Sequence, residues 1–292
     1  MKILSTVFQL NNLEKLSEHA DGLLVVCEDF GTRLTKSFSK DEIVEALKIT
    51  KKLNKSLFLL CNQMFTDQML ETYKLWIEDL PVNDFAGIVI ADLGVYRLLD
   101  SMGLSNKIIY NPETLLANVY DFNFLAKYHI LGVYIAKEIT LDDVITIGKD
   151  KKHQMFMVGH GHLNMFYSKR QLIDTFMTYQ ESQNPFHNLQ DLKIVEENRK
   201  EDPYPILEDR AGTHVFRSQM FSSLNHLEEL KKCVDYLVID TLFKDDDYAL
   251  EVLKMYHEEK EDLNIIHQLE EKYNEVWDEG FFYKKTIYQH KG

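Results

Sequence analysis

The sequence predicts an α/β fold, a TIM-like (β/α)8 barrel with a hairpin insertion before its last strand and a C-terminal extension. Three observations carry this. Short apolar runs rich in Val, Ile, Leu and Phe recur along the 292 residues, each followed by a longer segment of helical period. The runs are near-continuously apolar, as strands covered by helices on both faces must be. Eight of them can be counted, most separated by roughly 20 to 35 residues, enough for a helix between. An open doubly wound sheet would read similarly; eight units favour a closed barrel.

In chain order the strands are expected at 2–8 (KILSTVF), 22–27 (GLLVVC), 57–62 (LFLLCN), 87–92 (GIVIAD) and 107–111 (KIIYN). They continue at 131–138 (LGVYIAKE), 155–161 (MFMVGHG) and, after a gap, 236–240 (YLVID). Helix starts support the phasing. Ser39 precedes KDEIVEAL with Glu42 three residues on, Thr140 precedes LDDVITI with Asp143, and Ser168 precedes KRQLIDTF with Gln171. The stretch 192–218 has two strand-like runs around RKEDPYP and reads as a hairpin inserted into the last unit. Residues 1–255 are thus expected to form the barrel, with 256–292 a helical and strand extension packed on it. The tail runs from a charged helix to GFFYKKTIYQH.

Composition bounds the function. A hydrophobic fraction of 45% excludes a disordered chain, and a net charge of −14 disfavours gripping nucleic acid through the overall field. No run of about 18 apolar residues is present, so no membrane span is expected. The apolar run at the amino terminus ends at Leu10, too early for a secretory signal. Cys27, Cys61 and Cys233 are far apart with no CxxC pair, which supports neither a disulfide framework nor a cysteine-held metal. A cytoplasmic protein is expected.

Ligands in barrels and open parallel sheets sit at the carboxyl ends of the strands. Those ends carry Glu28, Asn62, Asp92, Asn111 with Glu113, Lys137 with Glu138, His160 with His162, and Asp240. The set is far more polar than the strands feeding it, which makes one rim the expected pocket. If the seventh strand runs through 162, a period of two places His160 and His162 on one face. Such a pair can bind a metal through neutral imidazoles, with Glu138, Asp240 or His214 as third ligand, or can fill a hydrogen-bonded pocket. No metal is assigned. Ser168 as an N-cap would aim free N–H groups at the same rim, and Lys169 and Arg170 in the first helical turn make sense if an anion binds there. Arg33, in FGTRL, is a second anion ligand to test, with plain surface exposure the alternative. No Gly-x-Ser-x-Gly elbow or glycine-rich phosphate loop appears. Cys27 and Cys61 sit in or at the end of apolar strands, where cysteine is usually an inert hydrophobe.

The stretches ADGLLVVCEDFGTRL, CNQMFTDQMLETY, GIVIADLGVYRLL, YNPETLLAN, VYIAKEITLDDV and VGHGHLNMFYSKRQL, followed by PYPILEDRAGTHVF, resemble in content and order the collagenase-like peptidase family U32. The resemblance runs from about residue 20 to 255 and implies a β/α barrel. Better understood members support hydroxylation of RNA bases or quinones, several with a four-iron cluster held by cysteines. This chain has Asn164 and Gln171 where cysteines are usual, no cysteine in QESQNPFHNLQDLKI, and IDTLF where Glu-Gly-Arg usually follows the last strand. It is similar to a short branch without the cluster, so no iron–sulfur cluster or other cofactor is expected. That branch implies 5-hydroxylation of the tRNA wobble uridine together with a longer family partner, with prephenate as the small carboxylate. On the resemblance, Arg33, Asn111, Glu113, His160 and Arg170 fall on motif positions. The competing readings are a hydrolase, either the peptidase of the family label or a metal-dependent enzyme, and a non-catalytic barrel subunit.

Overall fold

The computed structural model describes residues 1–33, 35–197 and 199–284. Eight parallel strands close on themselves: β1 (Lys2–Thr6), β2 (Gly22–Val26), β3 (Ser56–Cys61), β4 (Gly87–Ile90), β5 (Ile108–Tyr110), β6 (Gly132–Tyr134), β7 (Gln154–Gly161) and β13 (Tyr236–Ile239). Closure comes from β13, which pairs with β1 on one side and β7 on the other. Each barrel strand sends one side chain into a central layer: Leu4, Leu24, Phe58, Val89, Ile109, Tyr134, Phe156 and Val238. Their neighbours at odd spacing face outward into the larger core beneath the helices, which is why these runs are apolar on both faces.

The helices α1 (Leu13–His19), α2 (Lys40–Lys52), α3 (Asp67–Glu78), α4 (Leu93–Ser101), α5 (Val119–Phe124) and α6 (Leu141–Lys149) follow the first six strands in turn. Ser39 and Thr140 make the expected reciprocal caps: each side chain accepts from the backbone N–H three residues on, and Glu42 or Asp143 accepts from the cap's own N–H.

The third expected cap is not one. Ser168 ends β8 (Asn164–Ser168), which pairs antiparallel with β11 (Gly212–Phe216). Helix α7 (Leu172–Tyr179) begins four residues later, with Gln171 at its N-cap. The chain leaves the barrel after β7 and builds a four-stranded sheet, in order β8-β11-β10-β9, with β9 (Lys193–Glu196) and β10 (Arg199–Asp209). The insertion is therefore longer than a hairpin over 192–218: it starts at Asn164 and covers the carboxyl end of the barrel. Residues 220–222 (β12) return antiparallel along β7, α8 (Leu227–Leu230) follows, and the chain re-enters the barrel as β13. Helix α9 (Asp246–Glu258) packs on α1, and α10 (Leu263–Tyr273) leads to β14 (Trp277–Asp278), which joins the main sheet beside β12. Of the terminal GFFYKKTIYQH, 285–290 lie outside the described residues. Among the described residues no helix is long and apolar enough to cross a membrane.

Candidate functional site at the barrel mouth

Continuing each strand by two residues turns the apolar central layer polar. Thr6 lies beyond Leu4, Asn62 beyond Leu60, Asn111 beyond Ile109 and Asp240 beyond Val238, and all four line one cavity at the carboxyl end of the barrel. The cavity measures ≈ 60 Å³ and is roofed by Asn164 and Phe216 from the inserted sheet.

Its charged centre is a triad. Arg33 Nη2 approaches Glu113 Oε1 at 2.5 Å, and Lys137 Nζ pairs with Glu113 Oε2. The two cationic side chains are only 10% and 9% exposed, so their attraction is weakly screened. Burial alone would raise the Glu113 carboxyl, but Arg33 and then Lys137 overcome it and hold the group at about 2. Both Arg33 (φ 58°) and Glu113 (φ 67°) adopt left-handed backbone, uncommon for such side chains. At Glu113 the conformation is shaped locally: its N–H donates to Asn111 Oδ1 at 3.1 Å. Arg33 is held from the roof, its N–H donating to Asp209 Oδ2 at 3.0 Å. Strained backbone fixed by the surroundings is a mark of functional sites.

A hydrogen-bond chain ties the roof to the rim. The Thr32 hydroxyl donates to Asp209 Oδ2 at 2.7 Å and so accepts from His214 Nε2 at 2.8 Å, which leaves His214 Nδ1 to accept from Asn164 Nδ2 at 3.2 Å. This arrangement requires a neutral His214, and burial lowers its pKa accordingly. Tyr167 stacks on the ring at 4.5 Å. Across the mouth, burial pushes the Asp240 carboxyl up and the Tyr134 phenol well above its ordinary range.

The structure brings Arg33, Asn62, Asn111, Glu113, Lys137 and His162 to this cavity. It separates the others. Glu138 is half-buried outside the lining. Ser168 belongs to the roof sheet, and Lys169 and Arg170 are exposed on a turn before α7 rather than in its first turn. Lys169 Nζ donates to the Met64 carbonyl at 3.1 Å beside a separate surface cleft.

His160 also leaves the rim, because of a β-bulge. Val158 pairs with Val238, but His160 pairs with Ile239, so Gly159 is an extra residue. A Cβ on Gly159 would lie 2.3 Å from Leu237 Cγ, so only glycine fits there. The extra residue turns His160 outward, against Trp277, Tyr248 and Tyr256. Its Nε2–H donates to the Tyr248 hydroxyl at 2.8 Å, which donates to Glu275 Oε1 at 3.0 Å. Glu275 also accepts from Trp277 Nε1 and pairs with Lys244. His162 donates through Nδ1 to the Arg217 carbonyl at 2.9 Å. Burial, aided by the Lys244 charge, holds His160 at about 3 and His162 at about 4. The two rings do not share a face. Among the described residues no group of three or more His, Cys, Asp or Glu is placed to hold a metal. Cys27 follows the carboxyl end of β2 whereas Cys233 precedes β13 at the opposite end, so the free cysteines form no ligand set for a cluster.

The model of peptidase family U32 matches residues 10–291. The chain belongs to that family. Among curated family relatives, it is 26% identical over 288 residues to tRNA hydroxylation protein P2 of Bacillus subtilis, covering 92% of this chain and 93% of the relative. It is 21% identical over 274 residues to an uncharacterized protease of Methanocaldococcus jannaschii, covering 87% of this chain and 66% of that protein. A solved U32 peptidase structure superposes with a TM-score of 0.53 at 12% identity, covering 82% of this chain and 92% of its own. That likeness concerns the U32 barrel fold.

Sequence reasoning passed over Thr32, Asp209, Lys244 and Glu275. Gly159 within an apolar strand was the available signal for the bulge. Nothing local marks the others, which reach their places through contacts such as Thr32 to Asp209, 177 residues apart.

Proposed function

We propose that this chain takes part in tRNA modification, as a cytoplasmic factor in 5-hydroxylation of the wobble uridine working with a longer U32 partner. In this reading the barrel mouth binds a small carboxylate such as prephenate, and no iron–sulfur cluster is used. Near full-length similarity to a tRNA hydroxylation protein supports the RNA role. The observation that carries the pocket is the pair of buried cations, Arg33 and Lys137, meeting on a single carboxylate. An Arg and a Lys that each meet one oxygen of the same carboxylate are well suited to a carboxylate ligand. The cavity of ≈ 60 Å³ has room for a few waters. A ring-bearing carboxylate therefore enters only if Glu113 swings out, and its own carboxylate then takes the place of Glu113 between the cations. A peptidase reading finds less support. Cys61 is buried with its thiol pushed up to about 12, which removes the thiolate a nucleophile needs.

The test is mass spectrometry of wobble uridines in cells lacking this gene and that of the longer partner, with the partner restored. Wild type added back should restore 5-hydroxyuridine and Arg33→Ala should not. Full restoration by Arg33→Ala would remove the pocket from the reaction. Wobble uridines unaffected by the double deletion would end the tRNA reading.

A further inference from the structure

Helix α7 has no buried residue at all. Its sequence LIDTFMTY nevertheless places Leu172, Phe176 and Tyr179 at i, i+4 and i+7, a single stripe, and these are 40%, 58% and 82% exposed. Eight residues are too few for a helix to persist in water by itself. Ile173 and Met177 are half-buried, and the rest of what holds α7 is polar. The N–H groups of Ile173 and Asp174 donate to the buried Glu208 carboxylate at 2.7 and 2.9 Å, and that of Leu172 donates to Thr213 Oγ1 at 2.8 Å. The helix is pinned by its amino end to the roof sheet, while Phe176 and Tyr179 of its apolar stripe stay mostly exposed.

The charges at the two ends of the helix indicate what covers it. Arg170 precedes the helix and Glu181 follows it, both exposed, and neither makes an ion pair among the described residues. In an antiparallel pairing of α7 with α7 of a second copy, centred between Leu172 and Tyr179, Leu172 faces Tyr179 of the other copy and Arg170 faces Glu181. The pattern is self-complementary, as a two-fold interface requires. We propose that α7 is a homodimer contact, with a second copy of this chain laid antiparallel along the Leu172–Phe176–Tyr179 stripe. A helix of eight residues is about 12 Å long. So small a contact is below the area of a permanent interface, and the dimer is a weak, concentration-dependent one. This inference is independent of the role proposed for the barrel mouth.

Sedimentation velocity of the full chain over a range of concentrations tests it. Wild type should pass from monomer to dimer with rising concentration, and Phe176→Asp should weaken association by roughly tenfold or more with an unchanged circular dichroism melt. Arg170→Glu alone should weaken it about fivefold, and Arg170→Glu combined with Glu181→Arg should recover most of the loss, since each dimer contains the pair twice. A fold defect would not be repaired by the second charge change. A chain that stays monomeric, or a dimer indifferent to Phe176→Asp, overturns the proposal. If the longer U32 partner, added to a monomeric chain, binds in a Phe176-dependent way, the stripe belongs to that partner instead.

Discussion

Two buried carboxylates are built into this barrel in opposite ways. Glu113 at the mouth is shared by two cations, lies against a cavity and sits on left-handed backbone. Glu275 in the tail meets one cation, Lys244, and two neutral donors, Tyr248 and Trp277, inside an aromatic shell that includes His160. The tail network balances its charge: one carboxylate, one ammonium and a histidine kept neutral by burial. The mouth triad sets two cations on one carboxylate, with Asp240 lining the same cavity. A buried network of one carboxylate and one ammonium joins the tail to the barrel, whereas two buried cations converging on one carboxylate make sense where an anion is to be received.

Breaking the tail should have the largest effect on stability. Glu275→Ala leaves Lys244, whose side chain is 5% exposed, without its counter-charge. Removing one partner of a buried pair costs about 3–5 kcal/mol, which lowers the melting temperature by on the order of 10 °C in a chain of this size. Thermal denaturation followed by circular dichroism measures it. A loss below about 1 kcal/mol would mean that water reaches Lys244 and that the network does not anchor the tail.

The same comparison separates along pH. In the folded chain His160 titrates at about 3 against 6.5 when unfolded. Its neutral form is thus the one the fold favours; the stability is complete above 6.5 and is lost as pH falls toward 3. Glu113 is held at about 2 against 4.5, so its contribution is complete above 4.5 and is lost only below that. Between pH 6.5 and 4.5 the mouth triad is silent while His160 is not. His160→Gln should therefore flatten the fall in stability across that window by up to about 1.4 kcal/mol per pH unit. Glu113→Gln should change the profile only below it. His19, His153, His162 and His214, also lowered by burial, remain in both variants, so the difference from wild type reports His160 together with its coupling to the neighbouring His162. Parallel profiles for His160→Gln and wild type would show that the ring is not held neutral by the fold.

How much of this could be read from the sequence differs by region for a physical reason. The barrel strands announce themselves because a strand covered on both faces must be apolar throughout. The polar layer at the mouth follows by stepping two residues past Leu4, Leu60, Ile109 and Val238. Asn62 and Asn111 are legible in that way, Glu113 and Lys137 as polar residues just past strand ends, and Arg33 only from the FGTRL turn after β2. His160 was not, because one extra residue at Gly159 reverses the alternation, and a period-two argument has no means of locating a bulge except the glycine itself. Ser168 was misplaced because Ser-x-x-Gln satisfies a local capping pattern, while the actual partner of that segment, β11, lies more than 40 residues on. The roof chain of Thr32, Asp209 and His214 depends on the same long-range pairing and leaves no local trace.

The smallest expected effect concerns Arg170, and it sharpens the contrast by adding a third region. On the resemblance Arg170 and Arg33 both fall on motif positions, and both read from the sequence as anion ligands to test. Arg33 is 10% exposed at the mouth, whereas Arg170 is exposed on the outer side of the roof. Measured on dilute protein, Arg170→Ala should change stability by no more than about 0.5 kcal/mol, as for other surface substitutions. A carboxylate bound only by the folded chain raises the melting temperature with its concentration. With prephenate as the probe, Arg170→Ala should keep that rise and Arg33→Ala should lose it. The reverse pattern would place the anion site on the outer turn before α7 and return the mouth triad to a purely structural role.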